Sequence, residues 1–248
     1  MTVSHPRRSK PDGDYIDNIH KNWFGNYRKL EAHHGYIQWI FPTTEGSPIN
    51  PYCLALNETE RRLMQSDSRI QCRLLKSYIM MLDFWGMQLN LVTGHVLRTK
   101  DYLTRYRNWE GSHNLLRITR CIRSLQELGL GPYALPFVER LAAEVRSGAV
   151  KGCSDSLIKF WIPTLQKPEW RASVHSMLDE WSGTKSIKLP DREGSDIRPY
   201  WLNKHFTDAR VFYSSVIDQC IDTAARPSGS DRCVATSESV ASENKSTA

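Results

Sequence analysis

The residues best suited to chemistry are two histidines, an asparagine and an arginine. His113-Asn114 opens the run HNLLRITRCIRSLQELG, whose apolar positions Leu115, Ile118, Ile122, Leu125 and Leu128 recur at helical spacing. A helix start offers free N–H groups and the positive end of the helix dipole. His113, Asn114 and Arg117 there suit a carboxylate or a phosphate, with His34 a further candidate. The plainer alternative has Ser112 or Asn114 capping the helix while His113 bonds a carbonyl. Arg117, Arg120 and Arg123 line another side of the run, so helix 113–123 can also be read as a phosphate- or nucleic-acid-binding module. Glu127 and the charge balance favour an ordinary solvated face instead. The net charge is +6, but Arg7, Arg8 and Lys10 supply half of it from one end, which leaves a mildly basic body and argues against nucleic acid.

Other chemistries find little support. His33-His34 resembles a metal pair, yet adjacent residues on a helix point about 100° apart and seldom share one ion. There is no HExxH, no CxxC and no zinc-ligand spacing among the six cysteines, so no metal is expected. No GxSxG, Walker loop or GxGxxG is present, and the GLG at Gly129 to Gly131 reads as a helix stop. No cofactor and no catalytic set is expected.

The element that must position these residues is RIQCRLLKSYIMMLDFWGMQL, spanning 69–89. Ile70, Leu74, Tyr78, Leu82 and Trp85 form a wide apolar face, with Ser68 placed to cap the start and Gly86 to end the helix. Arg73, Lys76 and Asp83 make the run too polar to span a bilayer. Asp14 is placed to cap a first helix, Gly25-Asn26 breaks it, and Asn57 with Glu60 has capping-box spacing. Thr99 precedes a helix bearing Tyr102 and Tyr106, another runs from about 135 to 147, and Pro168 suits a first helical turn. Alternating strand patterns are nearly absent. The expected class is all-α: a compact bundle of roughly nine helices around the 69–89 helix. Residues 1–11 read as a basic disordered tail, 12–182 as the helical domain, 183–199 as a linker, 200–225 as a C-terminal helical segment and 226–248 as a disordered tail. Scattered cysteines and the lack of an N-terminal apolar run favour a reducing compartment, cytosol or nucleus.

Five stretches together resemble the conserved domain of the opioid growth factor receptor family. They are PDGDYIDNIHKNWFGNYRKLE, HGYIQWIFP, LLKSYIMMLDFWGMQL, GSHNLLRITRCIRSLQELG and LPFVERL, in the family's order and spacing. The most specific are YIQWIFP, from Tyr36 to Pro42, and HNLLRITR, from His113 to Arg120. The resemblance implies a non-catalytic domain that binds a short opioid-like peptide or a protein partner. It also implies association with the nucleus and nuclear envelope, without a transmembrane segment. A peptide carrying aromatic side chains and a free ammonium needs an aromatic-lined cleft and a carboxylate. Tyr36, Trp39 and Trp85, with Asp83 or Glu31, have that chemistry, although such aromatics serve equally as core.

Overall fold

The computed structural model describes residues 8–10, 13–47, 49–90, 94–109 and 112–180. Trp181, the 183–199 linker, the 200–225 segment and the 226–248 tail lie outside the described residues, as do most of 1–11 and the Val92-Thr93 turn.

The chain opens with α1 (Ile16–Trp23), α2 (Tyr27–Ala32) and the single turn α3 (Ile37–Ile40). Gly25, at a φ of 74°, turns the chain out of α1, and Asn26 caps α2 by accepting from the Lys29 amide. A loop leads to α4 (Glu58–Ser66), where Asn57 and Glu60 form the reciprocal capping box. Asp67 then ends α4 and caps α5 (Ser68–Phe84). Ser68 is therefore the first helical residue rather than the cap, because the carboxylate one residue earlier already accepts from the Arg69 amide at 2.9 Å.

α5 is the centre of the bundle. Leu74, Tyr78, Met81, Leu82, Phe84 and Trp85 are fully or almost fully buried. Each such side chain stabilises the fold by roughly 1.5–3 kcal/mol. α5 packs against α1, α3 and α4, and its rings meet those of a later helix through Tyr78–Phe137 and the stacked Trp85–Phe137 pair. The helix does not run to 89. It stops at Phe84, and Met87–Leu89 become strand β1, paired antiparallel with β2 (Val96–Arg98). Gly86 forces the change, as its φ is +80° and a Cβ there would lie 3.1 Å from the Tyr102 Cα.

After the hairpin come α6 (Tyr102–Arg105), whose N-cap position is Asp101 rather than Thr99 and carries no side-chain cap, and a 3-10 turn, Tyr106–Trp109. Thr99 instead donates to the Asp101 carboxylate. The long α7 (Ser112–Glu127) buries Ile118, Cys121, Ile122 and Leu125. A 3-10 turn over Gly131–Tyr133 leads into α8 (Ala134–Arg146), which packs on α7 and β2. Ser154–Ser156 (α9), a π-turn at Leu157–Trp161 and Ile162–Thr164 (α10) form one continuous helical stretch ahead of α11 (Pro168–Glu180). The class is all-α with one short hairpin. Among the described residues, Cys53, Cys72, Cys121 and Cys153 are in no disulfide, and no helix is long and apolar enough to cross a membrane.

Candidate functional site

Six of the nine sequence candidates meet at one place, where the start of α7 faces the end of α2. Arg117 is the hub. Its guanidinium is 4% exposed and donates to the carbonyls of Leu30 at 3.0 Å, His33 at 2.7 Å and Glu31 at 3.4 Å. It also donates to Asn114 Oδ1 at 3.0 Å. These carbonyls close α2 and the turn after it, where helix C-termini favour a cation. Asn114 is itself buried and donates to Asn108 O and to Glu31 Oε2. His113 Nε2 lies 2.7 Å from Glu31 Oε1. The polar groups of His113, Asn114 and Arg117 are thus occupied by protein partners, and this constellation works as a clamp on α2.

Tyr36 lies beneath the same clamp, with no exposed surface, and its hydroxyl donates to Leu30 O at 3.1 Å. Burial pushes its phenol far above the ordinary range. His34 is exposed beside His113, their ring centres 5.0 Å apart. Partial desolvation, then the charges of Arg117 and His113, lower its pKa.

The other three candidates are elsewhere. Asp83 accepts from Tyr27 Oη at 2.8 Å and pairs with Arg105 at 2.5 Å. Trp85 is sealed in the core against Phe137. Trp39 is half-buried on another face, where its indole donates to Lys10 O. Lys10 thereby joins the folded body, as does Ser9, 2% exposed, although both belong to the stretch read as tail.

Two clefts flank this framework. One, of about 230 Å³, lies between the 37–49 segment and the outer face of α7. Ile37, Ile49 and Leu116 give it an apolar surface, and His34, Arg120 and Arg123 give it positive charge. Residues 41–45 are pinned to α7 by Arg120 Nε on Phe41 O, Ser124 Oγ on Pro42 O and the Arg123–Glu45 ion pair. The second cleft, of about 430 Å³, is walled by Tyr15, Ile16, Trp39, Met64, Ile70 and Leu74, with the Asp17–Arg73 ion pair among its lining residues. Sequence reasoning missed Tyr15, Asp17 and Met64. Tyr15 and Asp17 come from one segment and Met64 from another far along the chain, and only Trp39's density of aromatic neighbours hinted at a site.

A Ser–His pair also went unforeseen. His20 Nε2 lies 2.8 Å from Ser77 Oγ, the separation of a nucleophile and its base. Ser77 has no exposed surface and lines neither cleft, so the pair ties α1 to α5. Burial lowers the His20 pKa to about 4, with Asp17 opposing it. A depressed folded value means that the unfolded chain binds the proton first. Stability is therefore complete above pH 6.5 and falls as the pH drops towards 4, by on the order of 2 kcal/mol since the ring is not wholly sealed. Urea unfolding of wild type and His20→Gln at pH 7 and pH 4 checks this. The variant should show a loss on acidification smaller by that amount, and equal losses would exclude His20 as the cause.

Among the described residues no three His, Cys, Asp or Glu side chains stand together as a metal site. The arrangement is that of a helical scaffold with a buried polar clamp and two open clefts. The chain belongs to the opioid growth factor receptor family: residues 4–188 match the opioid growth factor receptor conserved region. It is similar to opioid growth factor receptor-like protein 1 of Mus musculus, 35% identical over 82% of this chain and 39% of the relative. It is 42% identical to the opioid growth factor receptor of Homo sapiens over 53% of this chain and 20% of the relative. The chain thus spans less than half the length of these curated relatives. No solved structure matches it.

Proposed function

We propose that the chain is a non-catalytic domain that binds a short peptide or a protein segment, with the Trp39 cleft as the body of the site. The observation that carries this reading is the 430 Å³ cleft itself, lined by two aromatic rings, aliphatic side chains and a carboxylate. That volume falls within the range of about 300–1,000 Å³ usual for ligand clefts. Tyr15 and Trp39 offer faces to an aromatic side chain, and a peptide ammonium would meet Asp17 only by sharing it with Arg73, which already holds both carboxylate oxygens. Tyr15 and Trp39 supply the aromatic faces that Tyr36 and Trp85, both held in the core, do not present. The relatives' names, opioid growth factor receptor and its like, support an opioid-type peptide as ligand. By the same family reasoning we place the chain in the nucleus or cytoplasm, with peripheral association to the nuclear envelope.

Calorimetry with an enkephalin-like pentapeptide tests the reading. Wild type should bind, and Trp39→Ala, matched for helicity, should bind at least tenfold more weakly. Equal affinities would remove Trp39 from the site, and absence of binding at millimolar peptide would remove the peptide reading.

A further inference from the structure

The α7 cleft holds an arginine that no carboxylate meets directly among the described residues. Arg120 uses one donor, Nε, on the Phe41 carbonyl at 2.8 Å, and it has no ion pair among the described residues. Its neighbours are accounted for otherwise. Arg117 is taken up by the α2 carbonyls, and Arg123 by Glu45. Burial lowers the Arg120 pKa, and Cys53 and Glu127 oppose that shift only in part. An oxyanion meeting this guanidinium would gain two charge-assisted hydrogen bonds in parallel.

The same wall carries an unanswered acceptor. Gln38 is 1% exposed and lines the cleft, and its amide donates to Ser47 Oγ at 3.2 Å. Its Oε1 has no hydrogen-bond partner. A buried acceptor left in this way is destabilising, and a ligand N–H would satisfy it. Above these two groups lie exposed aliphatic side chains, Ile49 at 54% and Leu116 at 55% exposure. A cation, an amide acceptor and an aliphatic surface together complement three features that adjoin one another at a single place in a peptide: terminal carboxylate, last backbone N–H and last side chain. At about 230 Å³ the cleft is too small for a whole peptide and suits one end of it.

We propose that the cleft between α7 and the 37–49 segment captures the free C-terminus of a peptide ending in an aliphatic residue, with Arg120 on the carboxylate. The inference extends the peptide-binding reading to a second subsite, yet it stands or falls by a separate measurement. A nucleic-acid phosphate fits less well, since Arg117 is buried, Arg123 is already paired and the rim is aliphatic.

The probe is N-acetyl-alanyl-leucine as free acid and as C-terminal amide, titrated into the full chain and followed by amide chemical shifts. The acid should shift the Ile49 and Leu116 signals and bind at least tenfold more tightly than the amide. Arg120→Met should abolish that preference, while Arg120→Lys should keep part of it. Because Arg120 also holds Phe41 O, Leu116→Glu serves as a second variant: its exposed site spares the fold, and its carboxylate should weaken the acid by at least tenfold. Equal binding of acid and amide, or an acid preference that survives both Arg120→Met and Leu116→Glu, would overturn the proposal. Inorganic phosphate displacing the acid with no acid–amide preference would assign the cleft to a phosphate instead. If the acetylated acid binds and the pentapeptide does not, the Trp39 reading fails alone; the reverse result refutes only the C-terminal subsite.

Discussion

Replacing Arg117 by methionine is expected to lower the unfolding free energy by about 3–5 kcal/mol, the usual cost of removing one partner from a buried, hydrogen-bonded charge network. Methionine keeps much of the aliphatic stem but supplies no donor. The carbonyls of Glu31 and His33 and the Asn114 side-chain oxygen would each lose a charged donor. Leu30 O would retain only the Tyr36 hydroxyl. Arg117→Lys should recover part of the loss at most, because one ammonium cannot span carbonyls that a planar guanidinium reaches from two nitrogens. Urea unfolding monitored by helicity measures both variants, and a loss below about 1 kcal/mol for methionine would show that the clamp is dispensable. The consequence for recognition is direct. α2 leads into the 37–49 segment, so loosening the clamp disturbs one wall of the α7 cleft, and acid binding there should weaken together with stability.

Arg117 also shows where sequence reasoning works and where it stops. Its position on α7 follows from the 3.6-residue spacing of Ile118, Ile122 and Leu125, all of which are buried as that spacing requires. The same logic places Leu74, Tyr78, Leu82 and Trp85 inside, and it places the breaks at Gly25 and Gly86 and the capping box at Asn57. Such signals are local and repeat within a few residues. The carbonyl partners of Arg117 lie 84 to 87 residues away, and nothing in HNLLRITR distinguishes an arginine aimed at carbonyls from one aimed at a ligand. Residue type misled at Trp85 and Tyr36 for a related reason: an aromatic ring suits a core and a cleft equally, and only packing decides. The hairpin escaped because three residues per strand are too few to show alternation, and Met87 and Leu89 merely looked like the end of the α5 stripe.

That hairpin is held by the second group with a large expected effect. Glu144 on α8 has no exposed surface, and Arg98 of β2 grips it with both forks, Nε at 2.8 Å and Nη2 at 2.6 Å. Arg140, one turn earlier on α8, adds a longer contact at 3.4 Å and donates from Nε to Val96 O at 2.7 Å. The carboxylate raises the Arg98 pKa above its ordinary value. Glu144→Gln leaves two guanidinium groups facing each other without a counter-charge, and should cost about 3–5 kcal/mol. Pairing alone does not prove that the ions stabilise the fold, since desolvating them opposes their attraction. The double variant Arg98→Met/Glu144→Gln, measured with both single variants, separates the two. If the pair is mainly costly to break, the double variant should regain most of the loss of the single one, with a coupling of about 2–3 kcal/mol in the cycle. Additive losses in urea unfolding would instead show that Arg98 and Glu144 act independently.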